Sequence, residues 1–375
     1  MEFRSYLIKP ASDLCNMRCR YCFYHDVAQN RTVQHMGRMT EAVADTLIAG
    51  AFDGAARDTT ISFAFQGGEP TVRGLPYFRH FVEEVRRVNT RRLPVHFAIQ
   101  TNGLALDEDW CRFLAENHFL VGVSIDGDKA LHDAHRVDAQ GDGTWNRVTA
   151  NLRLLQKAGA EVNALCVVTR QCARSSQKVY HALQKLGVRY HQYIACLDPL
   201  EAQRGSLPFS LTPDAYGKFL CGLFDAWYRD WKAGTYTSIR YFEDLVHLLL
   251  GEPASTCATC GNCGAYCVAE GDGSVYPCDF FVLDQWRMGS VTEDGYDALL
   301  QAPAARRFLA RGQERPLECQ SCSYLRLCGG GCKRDWVEAD GAVHNYFCAS
   351  FRALLSYALP RLTEIARAEA AARGR

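Results

Sequence analysis

Cys15-Asn16-Met17-Arg18-Cys19-Arg20-Tyr21-Cys22 puts three cysteines on one short stretch, just after the apolar run Tyr6 to Ile8. The number three is informative. A structural zinc takes four ligands in a closed shell, and a [4Fe–4S] cluster held by four cysteines is likewise saturated. Three thiolates leave one iron of such a cluster open to a small molecule. The competing reading is a zinc site that borrows a fourth ligand such as His25.

Moving outward, the same arrangement recurs. Gln66-Gly67-Gly68-Glu69-Pro70 follows the β-rich run Thr60 to Phe65, and Gln100-Thr101-Asn102-Gly103 ends the run from Val95. Ser124-Ile125-Asp126-Gly127 ends the run from Val121, and Cys196-Leu197-Asp198-Pro199 follows Tyr190 to Ala195. Val162 to Val168 is one more run. Helical patterns lie between the runs: one from near Thr40, Pro76 to Asn89, one capped by Asp107, Trp145 to Lys157, and Ser175 to Leu186. Six βα units in a row predict a parallel sheet with helices outside it. Six is fewer than the eight of a closed barrel, so an α/β fold of the partial (β/α)6 barrel type is expected. A flat doubly wound sheet is the alternative, and periodicity does not separate the two. In either, sites gather at the C-terminal ends of the strands, where all of these loops fall.

Beyond residue 198 come two amphipathic helices, Ala215 to Trp231 and Tyr241 to Leu250. Residues 257–348 are rich in Cys and Gly, with a hairpin over Val268 to Pro277 that turns at Asp272-Gly273. A helix from Phe351 to about Ala371 closes the chain. The expected division is a barrel with a bridging helix over 1–235 and a small Cys-rich α+β domain over 236–375.

The 375 residues include 42 Lys plus Arg and 42 Asp plus Glu, a zero balance that argues against a nucleic-acid binder. Apolar runs such as Phe119 to Ile125 are too short to span a bilayer. The start, MEFRSYLIKPASDLCN, has no signal-like apolar stretch. A cytoplasmic protein without membrane or nucleic-acid partners is expected. In that reducing setting, 18 cysteines read as metal ligands rather than disulfides. Cys111, Cys166, Cys172, Cys196 and Cys221 stand apart from the two groups and read as small core residues.

Cys-x3-Cys-x-aromatic-Cys with Gly67-Gly68-Glu69-Pro70 resembles the radical S-adenosylmethionine (SAM) enzymes. The resemblance implies that Cys15, Cys19 and Cys22 hold a cluster whose open iron chelates SAM, and that electron transfer cleaves SAM to a 5′-deoxyadenosyl radical. It implies that Gly68 meets the SAM amino group, Ser124 and Arg136 hold its carboxylate and ribose end, and Tyr21 and Leu197 border the adenine. A glycine permits close backbone approach, and arginine suits a carboxylate; the bland reading of Arg136 is a solvated surface residue.

Gly273-x4-Cys278, set behind Cys257, Cys260, Cys263 and Cys267, and Cys319-x2-Cys322-x5-Cys328-x3-Cys332 followed by Cys348, resemble the SPASM extension. That resemblance implies two auxiliary [4Fe–4S] clusters, one on Cys257, Cys263, Cys278 and Cys332, the other on Cys319, Cys322, Cys328 and Cys348. Cys260 and Cys267 are surplus, although Cys260-x2-Cys263 is itself a plausible ligand pair, and two zinc ribbons are the alternative. Leu7-Ile8-Lys9-Pro10-Ala11-Ser12, Cys22-Phe23-Tyr24-His25, Ser62 to Thr71, Leu165 to Thr169, Cys196 to Leu200, Ser238 to Phe242 and Gly273 to Phe280 together resemble the anaerobic sulfatase-maturating enzymes. The resemblance implies oxidation of a Cys or Ser of a sulfatase polypeptide to Cα-formylglycine. It also implies three [4Fe–4S] clusters, SAM, and an electron donor such as flavodoxin or ferredoxin. In the reaction so implied, the radical would take a β-hydrogen, a base the thiol or hydroxyl proton, an electron would leave through the auxiliary clusters, and a thioaldehyde would hydrolyse. The base would be Asp279, for which a turn or helix cap is the alternative. Tyr24 and Gln66 are candidates to hydrogen-bond the target. Other readings are a SPASM maturase that forms thioether or carbon–carbon crosslinks, disfavoured by the 14 residues before Cys15, and a non-enzymatic electron-transfer or zinc-scaffold protein.

Overall fold

Strand-forming residues segregate by face along each predicted run. In Thr60–Phe65, Ile61, Phe63 and Phe65 are buried on one side while the alternate residues are half-buried on the other. The helix Leu75–Val88 lays Tyr77, Phe78, Phe81, Val82 and Val85 over that buried side. Phe65 meets Phe78 with ring centroids 4.8 Å apart, and Phe63 meets Phe81 edge to face at 5.2 Å. Side-chain caps start three of the helices, two of them at the expected positions and the third, from Pro213, two residues ahead of the expected Ala215. Thr40 accepts from the Val43 amide, Asp107 from Trp110 and Thr212 from Ala215.

The computed structural model describes residues 2–374. Six strands, β1 (Phe3–Ile8), β2 (Thr60–Phe65), β3 (Val95–Thr101), β4 (Phe119–Ser124), β5 (Glu161–Val168) and β6 (Tyr190–Ala195), pair in parallel in chain order. A doubly wound sheet reverses its strand order at a switch point. Here the order never reverses, so right-handed crossovers leave all the connecting helices on one side of the sheet. This excludes the flat doubly wound alternative and gives the open partial barrel.

Four short strands extend the sheet. β7 (Ser238–Ile239) adds in parallel to β6. β8 (Cys267–Ala269) adds in parallel to β1, with Tyr6 opposite Cys267. β9 (Ser274–Tyr276) pairs antiparallel with β8, and β10 (Gly289–Ser290) with β9. The expected hairpin is therefore present, and its turn ends at Gly273 with φ +89°. One sheet of ten strands thus runs through both halves of the chain. The last helix begins at Cys348, three residues earlier than expected, and packs along Pro213–Lys232. Gly217 permits that approach, because a Cβ there would lie 3.3 Å from the Ser350 Cα. No helix among the described residues is long and apolar enough to cross a membrane.

Candidate active site

The loops at the C-terminal ends of the parallel strands enclose a cavity of about 150 Å³. Cys15, Cys19 and Cys22 form one part of its wall. Tyr21, Gly68, Ser124, Arg136 and Leu197 line the rest, together with Tyr24, Gln66 and Phe280. All the residues expected around SAM are thus brought to one cavity.

Local constraints explain the shape. Gly68 has φ +48°, and a Cβ there would stand 2.4 Å from the Leu14 carbonyl oxygen. Gly67 has φ +82°, and its Cβ would meet the Lys9 Cγ at 2.5 Å. Both positions require glycine. Glu69 is fully buried and accepts from Thr71, from the Thr101 hydroxyl at 2.7 Å and from the Asn102 amide at 2.7 Å, while its own amide donates to Leu14. It ties together the loops that follow β1, β2 and β3.

Burial pushes the Cys15 thiol up to about 12, with the Glu69 carboxylate adding to the rise. Cys19 is pushed up to about 11 by burial, and Arg136 beside it pulls the other way. Thiols held this way are dry donors that a metal cluster deprotonates on binding. His25 is not in the cavity wall; its ring reaches Gln29 at 3.1 Å. Among the described residues, no group of three or more His, Cys, Asp or Glu side chains is arranged to hold a single metal ion. The donor set fits a three-cysteine cluster with one open iron better than a zinc site completed by His25.

Arg136 is not a solvated surface residue. Its Nε and Nη2 donate to the two oxygens of Asp126 at 2.9 and 3.2 Å, and both residues are buried. Asp126 also accepts from the Tyr21 hydroxyl and from the Val167 amide at 2.9 Å. Sequence reading passed over Asp126 as a site residue; its position in the loop after β4 is the signal that was available.

Asp279, 4% exposed, stands directly behind the cavity wall. Its Oδ2 accepts from the Tyr24 hydroxyl at 2.7 Å and from Gln66 Nε2 at 3.2 Å, and Gln66 also donates to the Tyr24 oxygen at 2.6 Å. The Lys9 ammonium lies 3.1 Å from the other oxygen and 3.6 Å from Glu270, which Arg31 meets at 2.8 Å. Lys9 and Glu270 are 3% and 1% exposed. Burial raises Glu270, but Lys9 and Arg31 outweigh it and hold the carboxyl below its ordinary value. The chain Arg31–Glu270–Lys9–Asp279 was missed in the sequence, because its members lie far apart along the chain. Neither oxygen of Asp279 caps a helix or turn amide.

The later cysteines fall into two sets. Cys319, Cys322, Cys328 and Cys348 surround one small cavity. Cys257, Cys263 and Cys332 line a second, and Cys278 is in the same electrostatic neighbourhood. Burial pushes Cys278 up to about 12 and Cys328 to about 11. The donors in each set are thiols, four in number, and fit a closed cluster. The two surplus thiols point elsewhere. Cys260 donates to the Ala254 carbonyl at 3.0 Å, and Cys267 is buried in the core beside Tyr6. Cys111, Cys166, Cys172 and Cys196 are buried in the core, and Cys221 is packed against it.

Comparison with known proteins agrees with this geometry. The Radical SAM superfamily profile matches residues 10–170, and the Iron-sulfur cluster-binding domain profile matches 260–323. The chain is 40% identical to a Cysteine-type anaerobic sulfatase-maturating enzyme of Clostridium novyi, over 98% of each chain. It is 30% identical to a Serine-type anaerobic sulfatase-maturating enzyme of Klebsiella aerogenes, over 96% of this chain and 86% of that one. A solved structure of native anSMEcpe with bound AdoMet and Cp18Cys peptide superposes with a TM-score of 0.92 at 40% identity, covering 97% of this chain and 99% of that one. With sequence, fold and cavity in agreement along nearly the whole length, this chain belongs to the anaerobic sulfatase-maturating enzymes of the radical SAM superfamily.

Proposed function

We propose that the enzyme oxidises a cysteine of a sulfatase polypeptide to Cα-formylglycine, with three [4Fe–4S] clusters and SAM as cofactors. The observation that carries this reading is the hydrogen-bonded set Tyr24, Gln66 and Asp279, which joins the three-cysteine cavity to the turn that follows Cys278. Cysteine is favoured over serine as the target because identity to Cysteine-type relatives exceeds identity to Serine-type ones. A peptide substrate is supported by the neighbour's Cp18Cys peptide.

Cys15, Cys19 and Cys22 would hold the first cluster, and Gly68, Ser124, Arg136, Tyr21 and Leu197 would surround SAM. Bound there, SAM and its cluster supply hydrogen-atom abstraction from an unactivated carbon. Asp126 holds Arg136 and Tyr21 in place, so the wall of the SAM site is set before binding. Gln66 and Tyr24 orient the target side chain at the wall. Asp279 takes the thiol proton, passed through the Tyr24 hydroxyl or directly once the target displaces that hydrogen bond. Lys9 faces Asp279 from the side away from the cavity and keeps it in place. Cys257, Cys263, Cys278 and Cys332 would hold one auxiliary cluster, and Cys319, Cys322, Cys328 and Cys348 the other. The barrel over 1–235 would then carry the SAM chemistry, and 236–375 the auxiliary clusters. An electron carrier such as flavodoxin or ferredoxin completes the set of partners.

The test is anaerobic reconstitution, then incubation with SAM, reductant and sulfatase-motif peptides carrying Cys or Ser, read by mass spectrometry. Formylglycine forming faster on the Cys peptide is expected. Cleaved SAM with unmodified or crosslinked peptide would overturn the reading.

A further inference from the structure

Lys333 follows Cys332 directly and is 9% exposed. Its ammonium donates to the Phe308 carbonyl at 2.7 Å and lies over the Phe308 ring, 2.9 Å from the centroid. Phe281 and Trp286 face it at 5.6 and 6.0 Å. No carboxylate among the described residues lies within ion-pair distance of it. Beyond that carbonyl it faces sulfurs: Lys333 lines one small cavity together with Cys257, Cys263 and Cys332, and the ammonium is drawn toward Cys263, Cys278 and Cys332.

A buried ammonium without a counter-charge is costly. Aromatic faces attract it without cancelling its charge. A cage of three rings that opens toward cysteine sulfurs therefore delivers a nearly whole positive charge to whatever those sulfurs bind. A [4Fe–4S] unit with four thiolates carries a net charge of about −2 when oxidised and about −3 when reduced, and such charges and hydrogen bonds to sulfur set its potential. A fixed cation beside it favours the more negative state.

We propose that Lys333 is the built-in counter-charge of the auxiliary cluster on Cys257, Cys263, Cys278 and Cys332, and that it raises that cluster's reduction potential to make it an electron acceptor. The proposal rests on the ligand assignment made above. The step is a one-electron reduction in which no bond forms or breaks. In the proposed reaction the electron comes from the target side chain after Asp279 has taken its proton; in a titration it comes from the poised reductant. The turn Asp279–Phe281 explains the placement. Cys278, Asp279, Phe280 and Phe281 are consecutive, so ligand, base, cavity wall and cage wall share one rigid unit. Lys333 acts as a positioning residue for charge and lies outside the wall of the three-cysteine cavity.

The test is an anaerobic potentiometric titration of the reconstituted full-length enzyme, followed by electron paramagnetic resonance. Lys333→Met, Lys333→Gln and Lys333→Arg are compared with the parent, with iron counted in each. With iron retained, Met and Gln should lower the reduced-to-oxidised ratio of one auxiliary cluster about tenfold at fixed potential, a shift of about 59 mV. Arg should restore it, and the cluster on Cys319, Cys322, Cys328 and Cys348 should not move. An unchanged midpoint in Met or Gln variants with full iron overturns the proposal. If Met and Gln variants lose one cluster's iron, retention in the Arg variant supports the charge role, and equal loss in Arg overturns it. A parent protein that holds no auxiliary iron overturns the ligand assignment instead, and formylglycine assayed in parallel reports on the proposed reaction separately.

Discussion

Asp279 shows how a carboxylate's neighbours define its role. One oxygen accepts from Tyr24 and Gln66 at the cavity wall, and the other faces a buried ammonium. Asp279→Asn should keep fold, iron content and SAM binding while nearly eliminating formylglycine. Uncoupled SAM cleavage should persist, because it precedes deprotonation; near-normal turnover by the well-folded variant would remove Asp279 from the mechanism. Glu270 is the counter-charge to both Lys9 and Arg31. Replacing it with Gln leaves two buried cations short of one partner, which should cost about 3 kcal/mol. Urea unfolding of Glu270→Gln should show that loss, and a midpoint equal to the parent's would mean that Lys9 is neutralised by Asp279 alone.

Among the elements, the loops that follow β1 and β2 are interdependent. The Gly68 Cβ position is already occupied by the carbonyls of Leu14 and Ser12, both just ahead of Cys15. Gly68→Ala should therefore weaken SAM binding at least tenfold and loosen the cysteine loop that it touches. Equilibrium dialysis and an iron count check both, and unaltered SAM affinity would show that the loop gives way without consequence. The two surplus cysteines belong at this scale as well. Cys260→Ala and Cys267→Ala should keep full iron, because one thiol is engaged with Ala254 and the other packs in the core. Cys263→Ala or Cys278→Ala should lose iron at one auxiliary site. Iron loss on Cys260→Ala with none on Cys263→Ala would reverse the assignment.

Across the whole molecule, two buried histidines set an acid limit. Burial, with Arg136 beside it, lowers His132 to about 4, and burial lowers His191 to about 4. Both are neutral in the folded chain and titrate near 6.5 when it unfolds. The unfolded state therefore binds more protons between these values. Stability is complete above about pH 6.5 and drains as the pH falls toward 4, by about 3 kcal/mol for each group. Urea midpoints followed between pH 7 and pH 5 should fall, and His132→Gln should flatten part of that slope. Equal slopes in parent and variant would exclude His132 as the source. The continuous ten-stranded sheet adds a second consequence. Strand β8 pairs with β1, so the Cys-rich half and the barrel should unfold in one transition.

The six βα units, the helix starts at Thr40 and Asp107, and the grouping of cysteines were legible in the chain, because these depend on local periodicity and spacing. Limits were local too: β4 begins at Phe119, not Val121, and the last helix at Cys348. The motifs were legible because each lies at the end of a predicted strand. Tertiary structure alone decided between partial barrel and doubly wound sheet, since strand order depends on which edge is free to pair. It alone set β8 beside β1, which carries Glu270 to Lys9 and, across a separation of 239 residues, to Arg31. It also divided ten similar thiols into two sets and two outsiders, and built the cage around Lys333 from Phe281, Trp286 and Phe308. Spacing along a chain cannot supply these, because burial and charge pairing are settled by surfaces that meet only after the sheet has formed.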